Sequence, residues 1–345
     1  MIYPHAKVFV DTDNKYHFVT VTHKSKSGHK IYDNMGSGLI DFITLDLSEY
    51  ENTLKKADSS KLAYDDMRNL IFDIAETLRY KHEYIWFFLV GALNNIFAEE
   101  CNPKTQLSRC FDVLYSIIEL HQIFNFGVLL CLDVDNHPEF TTAEKYFSFT
   151  KIYEKYSDFL LKTSFTIAPS YKGVLDFAIV EGINKKAMTE TREVLKAVQR
   201  DNKGVNLVQF TLIETLEEML YFEFIELLKQ GTNVKKCRLC GRYFMLANQH
   251  ETYFCNRIYS GKRTCRQVGT KRDYNEKVAN DAVLQEYQRI YKRYFSRGEM
   301  PFEKNRDSRF CGMSFREWSA LARGFRRRYV AGEISGEDLL KGIRE

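Results

Sequence analysis

The chain has 345 residues, of which 44% are hydrophobic, 28% are charged and only five are proline. This composition is that of an ordinary globular protein and argues against extended linkers, and the length allows two or three compact units. The net charge of +4 is unevenly spread. Residues 231–345 contain 25 Lys+Arg and 13 Asp+Glu, whereas the other 230 residues contain 25 and 33. We therefore expect an acidic body joined to a basic C-terminal third, which either faces a polyanion or packs against the body.

The sequence predicts a cytoplasmic protein without a membrane segment. Its N-terminus, "MIYPHAKVFVDTDNK", lacks the basic region and apolar run of a secretory signal. The most apolar stretch, residues 84–98, is too short for a membrane span and contains Asn94 and Asn95, so it predicts a buried helix. In the cytosol, clustered cysteines more often hold a metal than form disulfides.

The N-terminal half predicts strands followed by helices. "AKVFVD" and "YHFVTVT" are typical of strands, and we expect a small sheet within the first 45 residues. From about Ser60 the apolar spacing becomes helical. It predicts two helices that meet near His82, a third over residues 104–124 and a fourth over residues 141–165.

Two further apolar runs follow the third and the fourth of these helices. Residues 126–140 predict a buried strand that ends in Asp133, Asp135 and His137. An acidic pair in that position could bind a divalent cation, although it is more often a polar loop. Residues 206–231 predict the most apolar helix of the chain, with Gly231 as its stop signal.

The predicted fold class is mainly α with a small N-terminal β element (α+β), followed by a C-terminal treble-clef-like zinc finger with four cysteine ligands and by basic helices. The corresponding domains are a β-rich element over residues 1–58, an acidic helical body over 59–231, the finger with a long helix over 232–298, and basic helices over 299–345.

Four of the eight cysteines lie in the segment "CRLCGRYFMLANQHETYFCNRIYSGKRTC". Two residues separate Cys237 from Cys240, fourteen lead to Cys255, and nine lead to Cys265. A C-x-x-C pair followed by glycine is typical of a zinc knuckle, so we expect these four thiolates to bind one structural Zn²⁺. Four sulfur ligands leave no open position for catalysis. His250 is an alternative ligand, but the absence of histidine after Cys265 argues against a His-metal nuclease.

The finger is predicted to contain a knuckle, a hairpin and a helix, in the order of a treble clef. Residues 242–246 predict a strand after the knuckle, residues 252–255 predict the returning strand that carries Cys255, and Cys265 precedes the helix. In these features residues 206–300 resemble the CGNR-type zinc-finger proteins of bacteria and related bacterial proteins with such a C-terminal finger. The resemblance implies a DNA-binding finger with these four cysteines as ligands, although Cys265 is followed by "RQVG" and "CNR" occurs at Cys255.

Beyond the finger, residues 271–298 predict one long helix. Ser314 and Glu317 predict a capping box that opens a second helix, and Ser335 and Asp338 open a short third one. Basic side chains interleaved with aromatic rings suit phosphate contacts. The predicted nucleic-acid contacts are Lys262, Arg263, Arg266, Lys271, Arg272, Arg289, Lys292, Arg293, Arg323, Arg326, Arg327 and Arg328.

Three functions are compatible with this sequence. The first is a zinc-finger protein that binds DNA or RNA through its basic third, as a regulator or a phage- or mobile-element-associated factor. The second is a scaffold in which zinc is purely structural and the acidic body binds a protein partner. The third is a metal-dependent enzyme that uses Asp133 and Asp135, but no nucleophile–base pair or nucleotide-binding loop accompanies them.

Overall fold

In the computed structural model, the described residues are 5–10, 16–21, 28–32, 35–59, 63–169, 205–246, 252–298 and 314–344. They are mainly helical with small sheets, which confirms the coarse fold class. The chain forms two compact units. The first comprises residues 1–237 and 241–252, and the second comprises residues 238–240 and 253–345.

The first unit contains seven described α-helices, a short 3-10 helix (Glu154–Tyr156) and a five-stranded sheet. Its helices are α1 (Ser37–Ile43), α2 (Ser48–Ser59), α3 (Tyr64–Leu78), α4 (Glu83–Ala98), α5 (Pro103–Cys131), α6 (Thr142–Ile152) and α7 (Leu216–Lys229). Its sheet strands are β1 (His5–Val10), β2 (Tyr16–Val21), β3 (Gly28–Tyr32), β4 (Lys162–Pro169) and β5 (Val205–Ile213). The sheet is antiparallel with the order β3-β2-β1-β5-β4, so strands from distant parts of the chain complete it. A separate hairpin pairs β6 (Val234–Lys236) with β7 (Tyr243–Met245).

Helix α5 is the centre of the first unit. It has 29 residues, begins after Asn102 and packs against α1, α2, α3, α4, α6 and α7. Among the described helices it alone has the length and hydropathy of a membrane span. However, ten of its residues, including Leu114, Phe124 and Val128, are buried inside the unit. A core helix of a soluble protein has the same composition, and the contacts of α5 are those of a core helix.

Several predicted elements of the first unit are correct. The strands β1 to β3 lie where the first 45 residues predict a sheet, and α3 and α4 meet at His82, whose ring nitrogen accepts a hydrogen bond from the Tyr84 N–H. The stop at Gly231 is also confirmed, since α7 ends at Lys229.

Other predicted boundaries are wrong. The predicted helix over 206–231 is β5 followed by α7, because Thr215 and Glu218 form a capping box that starts the helix only at Leu216. The predicted helix over 141–165 ends at Ile152, and β4 begins at Lys162. Residues 126–131 are the end of α5 rather than a strand. Residues 37–59 form α1 and α2 at the end of the segment that we predicted to be β-rich.

The second unit contains one small hairpin and four described helices. The hairpin pairs β8 (Ile258–Ser260) with β9 (Arg263–Thr264). The helices are α8 (Cys265–Ala279), α9 (Ala282–Gly298), α10 (Phe315–Val330) and α11 (Gly336–Arg344). The core lies between α9, α10 and α11, around the buried Trp318, whose indole N–H donates to the Ile343 carbonyl at 3.2 Å.

The helices of this unit pack against one another through apolar faces. Tyr287 and Ile290 of α9 are buried with Trp318 and Ala322 of α10, and both predicted capping boxes start their helices. The single long helix over 271–298 is wrong, because it divides into α8 and α9 at Asn280 and Asp281. The returning strand over 252–255 is also wrong, since the strand is β8, which begins three residues beyond Cys255.

Candidate metal centre

The four predicted cysteine ligands lie together. Their Sγ atoms are all within 4.8 Å of one another, and those of Cys240 and Cys255 are 3.7 Å apart. A disulfide needs a sulfur–sulfur distance of about 2.0 Å, so these cysteines are free thiols. Among the described residues this is the cluster that could hold a metal ion, and three of its four members are buried. The prediction that these four side chains share one site is confirmed.

Backbone hydrogen bonds position the two pairs of cysteines, Cys237 with Cys240 and Cys255 with Cys265. At the C-x-x-C turn, the Gly241 N–H donates to the Cys237 carbonyl at 2.8 Å, and Gly241 has a φ of +71°. A side chain at this position would be strained, which explains the glycine after the second cysteine. The second pair is Cys255 and Cys265. The Cys265 N–H donates to the Arg257 carbonyl and the Arg266 N–H donates to the Cys255 carbonyl, both at 2.9 Å, which holds these two cysteines side by side.

The Cys265 thiol lies where α8 starts. Thr264 caps this helix through a capping box with Gln267, so Cys265 is its first residue. Burial, followed by hydrogen bonds with Cys255 and Cys240, raises the pKa of the Cys265 thiol above its usual value. Four neighbouring thiols cannot all ionise without a cation, whereas a bound metal ion stabilises the thiolates. The donor set therefore suits a metal ion.

The remaining described cysteines belong to the first unit and lie apart from this site. Cys110 and Cys131 are buried in α5, and burial raises the pKa of the Cys131 thiol to about 12. Such thiols are unreactive core side chains. The alternative ligand His250 lies outside the described residues.

Asp133 and Asp135 have structural partners in the first unit. Asp133 is buried, accepts the Asp135 N–H at 3.0 Å and is hydrogen-bonded to Tyr243. Asp135 forms an ion pair with Lys235 at 3.0 Å. The two carboxylates thus hold the β6–β7 hairpin against the end of α5, where Val134 also pairs with Val234. These contacts account for the acidic pair without a metal ion.

The twelve predicted nucleic-acid contacts fall into two groups. Four have partners within the second unit: Arg289 pairs with Glu286, Arg328 with Glu333, Arg323 donates to the Ser319 carbonyl, and Arg326 lies over the Tyr274 ring. The other eight are exposed or at the surface and have no side-chain partner among the described residues. They are Lys262, Arg263, Arg266, Lys271, Arg272, Lys292, Arg293 and Arg327.

The positive charge is concentrated in the segment that carries the cysteines. Residues 232–272 contain ten Lys+Arg and one Asp+Glu, whereas residues 273–345 contain 15 and 12. Seven of the twelve predicted contacts lie instead in the later helices, where basic and acidic residues are nearly balanced. A charge count over the cysteine segment alone would have found this concentration.

The cysteine segment also contains exposed apolar side chains that we did not predict to be functional. Ile258 is 74% exposed and Tyr259 is 50% exposed, both on β8. Nearby, the Arg238 guanidinium lies 3.6 Å from the centroid of the Tyr253 ring, a stacking contact that the sequence alone does not indicate.

A family model described as a family of unknown function (DUF6076) matches residues 185–310 of this chain. The matched region contains all four cysteines, β8, β9, α8 and α9 but covers little more than a third of the chain. Searches of curated proteins and of solved structures found no match.

Proposed function

We propose that the four cysteines bind one structural Zn²⁺ in a treble-clef finger. Zinc bound by four thiolates at about 2.3 Å in a tetrahedron separates the sulfurs by about 3.8 Å, close to the 3.7 Å between Cys240 and Cys255. The order of elements, a hairpin around the C-x-x-C turn, a second hairpin and a helix that begins at the last ligand, supports the treble clef and the resemblance to CGNR-type proteins.

We further propose that the finger segment binds DNA or RNA, and that the protein is cytoplasmic, where these thiols remain reduced. The observation that carries the proposal is the excess of ten basic over one acidic residue between positions 232 and 272. Lys262, Arg263 and Arg266 are exposed beside the last metal ligand and have no partner among the described residues. Such cations are free to contact phosphates.

Neutralisation of the metal site does not account for this charge. One Zn²⁺ with four thiolates carries a net charge of about −2, which two or three nearby cations would balance. Pairing with carboxylates does not account for it either. Within the described part of the chain, no carboxylate pairs with Lys262, Arg263, Arg266, Lys271 or Arg272, which are five of the ten cations. These five make a polyanionic ligand favourable.

The test is the affinity of the full-length chain for labelled nucleic acid at several salt concentrations. We expect tight binding at low salt. As the salt concentration rises, log Kd should increase linearly with the logarithm of the salt concentration. Replacing Lys262, Arg263 and Arg266 together by glutamine should lower the slope by about 2 to 3. Replacing the internally paired Arg289, Arg323 and Arg328 by glutamine is the matched control, which should leave the slope nearly unchanged. Absent or salt-insensitive binding would refute the proposal.

A scaffold role is the second candidate, and exposed aromatic rings on the first unit favour it. Phe72 and Phe97 stack on each other at 5.8 Å while both remain exposed, and Trp86 is also half exposed. Exposed apolar side chains grouped in this way are common at protein interfaces. If this role is correct, replacing Phe72 and Phe97 together by serine should disturb assembly with the protein partner and leave nucleic-acid affinity unchanged.

A further inference from the structure

The β8–β9 hairpin presents apolar side chains to solvent in a strongly basic setting. All three side chains of β8 are exposed, including Ile258 and Tyr259. Between residues 252 and 272 the chain has six basic residues and no acidic one. An exposed aromatic and an exposed aliphatic side chain between cations give this hairpin both an apolar surface and positive charge.

Packing within the second unit does not explain this exposure. The aromatic rings of α9 and α10 are used in the core: Tyr287 and Trp318 are buried, and Tyr291 and Phe315 pack against them. Tyr259 takes no part in that cluster and has no hydrogen bond or ring contact among the described residues. Its ring is therefore available to a ligand.

Backbone hydrogen bonds also anchor the hairpin at its base. Its two strands pair, and the hydrogen bonds from Cys265 to Arg257 and from Arg266 to Cys255 close its base beside the cysteine cluster. The cations Lys262, Arg263 and Arg266 are within a few residues of β8 along the chain.

We propose that this hairpin binds single-stranded nucleic acid, with an unpaired base stacked on Tyr259 and contacting Ile258 while Lys262, Arg263 and Arg266 contact the flanking phosphates. The inference rests on the proposed nucleic-acid function and adds the kind of strand that is bound. A base offers its face to a protein ring only where it is not stacked in a duplex, so an exposed tyrosine favours a single strand.

The test compares the full-length chain on fluorescein-labelled oligo(dT), oligo(U) and a duplex of equal length. We expect the single strands to bind more tightly than the duplex. Tyr259→Ala should weaken single-strand binding about tenfold and leave duplex binding unchanged, while Tyr259→Phe should retain the affinity. Tyr80→Ala removes another highly exposed tyrosine, from the first unit, and is the matched control. Tyr259→Trp should show fluorescence quenching when a single strand binds.

The outcomes separate this inference from the proposed function. Salt-dependent binding that prefers the duplex, or that Tyr259→Ala does not change, would overturn the stacking role and leave the nucleic-acid function standing. Absence of binding to all three probes would overturn both. Unchanged metal content and circular dichroism of Tyr259→Ala would show that a loss of affinity comes from the ring and not from unfolding.

Discussion

Glu223 is a buried carboxyl group that completes the start of another helix. Its side chain accepts hydrogen bonds from the Leu39 N–H, in the first turn of α1, and from the Tyr84 hydroxyl at 2.9 Å. The N-cap residue of α1 is Gly36, which has no side chain to cap the helix, so Glu223 of α7 supplies the acceptor instead. Burial raises the pKa of Glu223 to about 7, and these hydrogen bonds oppose that rise.

This raised pKa predicts that stability falls as pH rises. Because the folded chain holds the Glu223 proton up to about pH 7 and the unfolded chain releases it near 4.5, ionisation costs the folded state roughly 3 kcal/mol across that interval. Glu223→Gln cannot ionise at this position. The free energy of unfolding of the wild type should therefore fall relative to that of the variant as the pH rises from 5 to 8. Denaturant unfolding of both proteins measures the difference, and a difference independent of pH would contradict the assignment.

Gly269 is a second residue whose identity is dictated by its surroundings. A Cβ atom at this position in α8 would lie 2.4 Å from the Phe254 ring, which is buried directly before Cys255. We expect Gly269→Ala to destabilise the finger by about 1–3 kcal/mol and to speed metal loss to a chelator. Gly324→Ala in α10 is the control, since it meets nothing within 4 Å and should be neutral or slightly stabilising. Equal chelation rates for the two variants would show that the Phe254 contact is unimportant.

At the scale of elements, Asp281 determines that α8 and α9 are separate helices. Its carboxylate accepts the Val283 and Leu284 N–H groups at 2.8 and 3.0 Å, which caps α9, and also accepts the Tyr329 hydroxyl of α10 at 3.0 Å. Asp281→Ala should therefore destabilise the second unit by about 1–3 kcal/mol.

Two milder variants test which Asp281 contact matters. Asp281→Asn keeps a capping oxygen and should lose much less stability in thermal unfolding, while Tyr329→Phe removes only the link to α10. An Asp281→Ala protein as stable as the wild type would contradict the capping role.

The elements that sequence predicted correctly are those with local signals. Ser314 and Glu317 start α10, and Gly231 follows the end of α7, because both signals act within one helical turn. The wrong predictions occur where a run of apolar residues is compatible with both a helix and a strand. Residues 205–213 are apolar enough for a helix, and only pairing with β1 and β4 makes them a strand. Pairing between distant strands leaves no local mark in the sequence.

At the scale of the whole molecule, the sequence predicted an acidic and a basic part of the chain. It did not predict which side chains of the basic part are exposed and which are paired. The four cysteines could be assigned to one site because ligand spacing is itself a local signal. The exposure of Tyr259 and the internal pairing of Arg289 and Arg328 depend on tertiary contacts, and they required the structure. Among the predicted contacts, those of the finger have no partners within the described residues, whereas several on the later helices are paired.

The most direct test of this account is the metal content of the purified full-length chain, together with the X-ray absorption spectrum of the bound metal. We predict one zinc per chain, bound by four sulfurs at about 2.3 Å. Cys240→Ser should lose the metal, while Cys101→Ser, a half-buried cysteine outside the cluster, should retain it. A folded wild-type chain without zinc, or a Cys240→Ser protein with as much zinc as Cys101→Ser, would contradict the account.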